Sequence, residues 1–198
     1  CRAIKAALDD YPREDHRHGI IHDCLPTPEG IEVCRDYHIQ MPMQSAFIGW
    51  KQEPDDYLEH ILGHDRLEKL NPIRTFRDNN IVVSFGSDAP CTTPDPIAWM
   101  DRAVNNDNAG QAVSVQDALR MSTYNGAWAA FDEQERGSLE AGKIADMAVL
   151  SENPYTVPKD KLSGLRAERL YLSGKSYESC RESILPMMLR GLTSRNKA

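Results

Sequence analysis

The chain has 198 residues, 40% hydrophobic and 27% charged, with a formal net charge of −7. That length suits one ordinary domain, or a domain with an appendage, and the composition reads as globular. The negative balance argues against nucleic acid or an anionic membrane surface as a partner, and no apolar run approaches the roughly 20 residues of a membrane span.

The first residues, CRAIKAALDDYP, read as the middle of a helix over 2–10, so a preceding segment, lost or missing, is expected. HGIIH (18–22) is apolar at its centre and predicts a buried strand. Thr27-Pro28-Glu29 predicts a helix start, with Thr27 as N-cap and a helix running to about Tyr37. IQMPM (39–43) is a second strand, weakened by Pro42. Residues 55–70 carry apolar residues at helical spacing, and Pro72 opens another helix that stops at Asn79-Asn80. IVVSF (81–85) is the clearest strand, and Asp95-Pro96 and Ser114 each open a helix, the second running towards Trp128. After about residue 135 the texture changes to Gly-punctuated strands at 146–150 and 166–172, closed by Ser173-Gly174-Lys175. This divides the chain into 1–135, 136–175 and a tail over 176–198. Strands alternating with helices imply a parallel α/β arrangement. The five cysteines (Cys1, Cys24, Cys34, Cys91, Cys180) are odd in number and form no CxxC, which favours free thiols in a reducing, cytoplasmic compartment.

In parallel α/β folds, chemistry gathers at the carboxyl ends of strands. His22 ends HGIIH, and Asp88 lies just past IVVSF in FGSDAPCTTPDP. An imidazole and a carboxylate converging there can bind a divalent metal or exchange a proton with an activated water. Blander readings stand beside this one. Asp88 suits a turn hydrogen-bonded to its own backbone, and His22 suits a structural role. Two residues do not complete a zinc site, and the other histidines show no HxH or HExxH spacing. Gln44, Phe47 and Trp50 follow the second strand, where Gln44 and Trp50 are candidate substrate contacts. Cys91 reads as a nucleophile only if His22 serves as its base. His16, Arg17 and the acidic 132–135 stretch read as solvated.

Four stretches carry a family resemblance: HRHGIIHDCLPTPEGIE, FGSDAPCTTPDPIAWMDRAV, SVQDALRMSTYNGAWAAF and GSLEAGKIADMAVL. Together they resemble the C-terminal part of the amidohydrolase superfamily, in the amidohydrolase 3 group that holds N-substituted formamide deformylase and YtcJ-like proteins. The resemblance implies the last three strands of a metal-dependent-hydrolase (β/α)₈ TIM barrel plus part of a small β-sandwich. It implies His22 and Asp88 as metal ligands, with Asp88 also the catalytic proton carrier. The metal would be divalent, with zinc the expectation, one or two ions in a complete enzyme and none required in this chain alone. The substrate would be a small amide- or formamide-type molecule cleaved at a non-peptide C–N bond.

The family strand HRIEH reads HGIIH here, and the family's HxH and its other ligands are absent from the chain. The expected partner is therefore a missing N-terminal half or companion chain, with a homo-oligomer as another way to cover the open edge. The alternative function is a non-catalytic fragment or binding relic of the same fold.

Overall fold

The computed structural model describes residues 1–177; the expected tail from residue 178 onward, with Cys180, lies outside them. Helix α1 (Arg2–Asp10) precedes α2 (Pro28–Asp36), which starts as its sequence dictates: Thr27 Oγ1 accepts from the Gly30 N–H at 3.1 Å and Pro28 occupies the first turn. Strand β1 (Met41–Met43) follows. Helices α3 (Asp55–Leu62) and α4 (His64–Leu67) replace the single helix expected over 55–70, because Gly63 takes φ +79° and interrupts the run. Helix α5 (Ile73–Asp78) leads into β2 (Val83–Phe85), then α6 (Pro96–Val104), α7 (Val115–Ser122) and α8 (Tyr124–Ala129). Asp95 and Ser114 cap α6 and α7 through Ile97 N–H and Asp117 N–H, each at 3.0 Å. The helix expected to run from Ser114 to Trp128 breaks at Thr123, whose φ −130° and ψ −87° are not helical.

Strands β1 and β2 pair in parallel, Met41 opposite Val83 and Met43 opposite Phe85. On the other side of β1, the expected strand HGIIH shrinks to one parallel bridge, Gly19 opposite Gln40. Its ladder is two bonds: Gln40 N–H to His18 O at 2.9 Å and Ile20 N–H to Gln40 O at 3.0 Å. The chain then turns at 21–22, and His22 adopts φ +60°, which ends any strand. Gly19 is required by the close approach: a Cβ there would stand 2.9 Å from Gln40 Cγ and 3.1 Å from Pro42 Cδ.

The two faces of this sheet differ in chemistry. Ile39, Met41, Met43, Ile81 and Val83 point into one core with Ile73, Phe76, Met100, Ala103 and Met121. The alternate residues Gln40, Pro42, Gln44 and Ser84 line the opposite face. Leu162 and Leu165, on and beside the 3₁₀ turn over Lys159–Gly164, extend the core towards the C-terminal strands. Those strands are β3 (Met147–Leu150), β4 (Ala167–Leu172) and β5 (Lys175–Tyr177), antiparallel in that order. Ser173 (φ +51°) and Gly174 (φ +75°) form the two-residue hairpin turn between β4 and β5.

Arg17 and, of the acidic stretch, Glu133 are not solvated, whereas Gln134 and Glu135 are exposed. The Arg17 side chain is 7% exposed and that of Glu133 11%, and the two are hydrogen-bonded at 2.7 and 2.8 Å. Asp15 takes the other edge of the guanidinium, Trp128 O accepts from Nη1, and the rings of Trp128 and Phe131 lie 4.6 and 4.1 Å from its centre. This clamp ties the segment before Gly19 to the end of α8. Among the described residues no helix is long and apolar enough to cross a membrane.

Phe76 is fully buried, so Phe76→Ala should cost about 3–5 kcal/mol in chemical denaturation. Gly137 has φ +87°, and a Cβ there would meet Ala127 Cβ at 2.7 Å and Tyr124 Cα at 3.0 Å; Gly137→Ala should cost more than about 1 kcal/mol in the same measurement. The hydrogen bond from Arg17 holds the Glu133 carboxyl below its usual range. A lowered pKa contributes stability above the ordinary carboxylate value of about 4.3 that disappears as pH falls through the folded value. Glu133→Gln should therefore flatten the loss of stability on acidification below about pH 4.5, read from urea midpoints at successive pH values.

Candidate active site

The carboxyl ends of three parallel segments meet on one side of the sheet. The Gly19 segment runs out into His22, β1 into Gln44, and β2 into Gly86-Ser87-Asp88. His22 Nε2 and Asp88 Oδ2 stand 3.6 Å apart, although 66 positions separate them in the chain. Their side chains are 42% and 43% exposed, so solvent reaches both. Each backbone is left-handed, His22 at φ +60° and Asp88 at φ +52°. Histidine and aspartate tolerate that region better than most residues, and such strain is often found at functional sites.

The loop after β2 is held by bonds that leave the Asp88 carboxylate facing His22. Gly86 N–H donates to Met43 O at 3.0 Å, Cys91 N–H to Asp88 O at 2.8 Å, Ala89 N–H to Ser87 Oγ at 3.1 Å, and the Thr92 hydroxyl to Ser87 O at 2.5 Å. In this loop it is Ser87, one residue earlier, whose side chain takes the turn's N–H.

The ring of Phe47 stacks against His22, centroids 5.9 Å apart and planes 18° apart, and Trp50 leans on Phe47 at 5.0 Å. Trp50 is thus one ring removed from the imidazole. Phe47, on the 3₁₀ turn Ser45–Phe47, is the aromatic nearer to it. Its signal in the sequence is an aromatic three residues past Gln44 in the loop after β1. Gln44 is 7% exposed, and its Oε1 is enclosed without a hydrogen-bond partner among the described residues.

Cys91 does not suit a nucleophile. The charge of Asp88 raises its thiol pKa, with burial and a hydrogen bond to the same carboxylate adding to the effect, and a thiol held protonated is a poor nucleophile. His18 is turned away from His22: its ring stacks on His16 at 4.8 Å, and His16 Nε2 lies 2.7 Å from Tyr37 O.

The profile of the Amidohydrolase family matches residues 1–177. The chain belongs to this family. Among curated proteins, this amidohydrolase chain is 33% identical over 152 residues to the N-substituted formamide deformylase of Arthrobacter pascens, covering 73% of the chain and 26% of that protein. It is 25% identical over 180 residues to the Bacillus subtilis protein YtcJ, named as an amidohydrolase, covering 85% and 34%. The chain therefore spans between a quarter and about a third of the length of these relatives. Among solved structures, an uncharacterized metal-dependent hydrolase from Pyrococcus horikoshii superposes with TM-score 0.65 at 23% identity, over 80% of this chain and 34% of that one. An adenosine deaminase from Xanthomonas campestris with bound zinc gives 0.62 at 18%, over 98% and 45%. At those identities the likeness is one of fold.

The donor types of His22 and Asp88 suit a divalent metal of the zinc class. Among the described residues, however, no group of three His, Cys, Asp or Glu side chains is placed to hold a metal. His22→Asn should leave the fold intact, because the exposed imidazole makes no core contact. The expected change in unfolding free energy, read by chemical denaturation, is within about 0.5 kcal/mol.

Proposed function

We propose that the whole protein hydrolyses a non-peptide C–N bond in a small amide- or formamide-type substrate, with His22 and Asp88 in the reacting centre. The observation that carries this reading is the 3.6 Å approach of His22 Nε2 to Asp88 Oδ2 at the ends of parallel segments. Family membership supports it, as does the name of the relative that acts on N-substituted formamides. Residues 1–135 would be the last part of a (β/α)₈ barrel and 136–175 part of a β-sandwich. The remaining ligands would come from the part of the fold this chain does not span, and Leu170, Leu172 and Tyr177, exposed on the second sheet, suit such a cover. A cytoplasmic setting fits the free thiols.

A divalent metal, with zinc the best match to a His/Asp donor set, would supply Lewis acidity that makes a water nucleophilic near neutral pH. His22 would hold it through a ring nitrogen, with Asp88 beside it. Asp88 takes a proton from the attacking water as the new C–O bond forms. It returns that proton to the amide nitrogen as the C–N bond breaks, so an acid and an amine leave and no charge is stranded. Phe47 keeps the imidazole face covered, and Gln44 and Trp50 contact the substrate. The lack of a third ligand among the described residues favours the second reading, a non-catalytic binding relic, for the chain taken by itself.

In the whole protein, Asp88→Asn should lower kcat about 10²–10⁴-fold, and His22→Ala should lower both activity and bound metal, read by elemental analysis and by release of amine from a formamide. Full activity in both variants would remove the pair from the mechanism. A whole protein with neither metal nor turnover would favour the relic.

A further inference from the structure

We propose that Phe47 sets the size of the acyl group the enzyme accepts, by standing between His22 and a side cavity, so that the substrate carries a short acyl group such as formyl. This rests on the amide-hydrolase reading above. The Phe47 ring stacks on the His22 imidazole, centroids 5.9 Å apart, and the same residue lines a cavity of about 360 Å³. That volume lies at the low end of the range for ligand pockets. Neither His22 nor any residue of the Asp88 loop lines it. Leu58, Leu67 and Leu70 give it an apolar wall, and Asp55 and Asp107 add carboxylates, so it suits a neutral chain better than an anionic one.

A second tie joins the cavity to the histidine. Asn71, also in its lining, donates its N–H to Cys24 O at 2.8 Å, and Cys24 N–H donates to His22 O at 2.8 Å. The Phe47 ring itself is held in place. Phe47 N–H donates to Gln44 O at 3.0 Å, the Ser45 hydroxyl donates to Trp99 O at 2.9 Å, and Trp50 leans on the ring at 5.0 Å. A ring packed against two others does not yield to an oversized group without strain.

The chemistry directs the acyl group to this ring. Asp88 delivers the proton to the amide nitrogen, so the C–N bond points towards Asp88 as it breaks. The other substituent on the same carbon is directed away from that carboxylate, to the His22 side, where Phe47 meets it. A hydrogen fits beside the ring; a longer chain collides with it. Phe47 contributes shape alone and exchanges no proton.

The test uses the whole protein and the N-benzyl amides of formic, acetic, butanoic and hexanoic acids, read by release of benzylamine. For the unmodified protein kcat/KM should fall with acyl length. Phe47→Ala joins the cavity to the site and should raise the butanoyl-to-formyl ratio of kcat/KM at least about tenfold. Adding Leu67→Trp, which fills the cavity from its far wall, should abolish that gain. The proposal is overturned by an unchanged ratio in Phe47→Ala, by a gain that survives Leu67→Trp, or by an unmodified protein that cleaves the hexanoyl amide as well as the formyl one. A gain seen only when the amine side is lengthened, as in N-(4-phenylbutyl)formamide, overturns it too. Each of these leaves the hydrolase reading in place. If the unmodified protein cleaves none of the amides, the hydrolase reading fails and this proposal falls with it. Should Phe47→Ala not fold, Phe47→Leu decides by the same ratio.

Discussion

Strand β1 is only three residues long, yet it and the Gln40 before it serve two neighbours. On one side the Gln40 amide and carbonyl hold His18 and Ile20; on the other, Met41 bonds to Val82 and Met43 accepts from Gly86. These parallel bonds align the ends of three segments far apart in sequence. Without them His22 and Asp88 would sit on separate loops, since the two side chains meet at the limit of ion-pair range and cannot hold each other in place. Core packing fixes the strand from beneath, through Met41 and Met43 against Phe76 and Met100. The His22 and Asp88 side chains themselves remain in contact with solvent. The site thus separates a rigid, buried support from two exposed side chains carried on left-handed backbone.

Much of this was legible in the sequence wherever local chemistry decides the outcome. Thr27, Asp95 and Ser114 cap the helices they precede, and the hairpin turn at Ser173-Gly174 follows from residues that accept positive φ. The strand ends that carry His22 and Asp88 could be named because both runs terminate in the right residue types. HGIIH was overread. Its apolar centre suggested a full strand, but Gly19 and the left-handed His22 leave a single bridge, and Ile21 ends up exposed. The helices over 55–70 and 114–128 were each read as one because apolar spacing survives a break at one residue, as at Gly63 and Thr123.

The largest misreading was electrostatic. Arg17 and Glu133 each sit among charged neighbours in sequence, the usual mark of a solvated loop. They find each other across 116 positions, and nothing local in either stretch announces it. The aromatic residues give a partial signal: Trp128 and Phe131 flank the acidic run, and an arginine has a planar face to place between them. Phe47 was similarly ambiguous until its ring lay on the imidazole.

The Arg17 clamp bears on how the chain is made. During synthesis, Arg17 leaves the ribosome long before Trp128, Phe131 and Glu133 exist to enclose it. At about 5–20 residues per second the interval is several seconds or more. Throughout that time only Asp15, two residues away, is at hand, and the guanidinium stays hydrated. The Gly19 bridge hangs directly from this arginine, whose carbonyl takes the Gln40 side chain. The first of the three parallel segments is thus secured by α8 and the residues just after it, and the nascent chain must keep that segment unburied until they arrive.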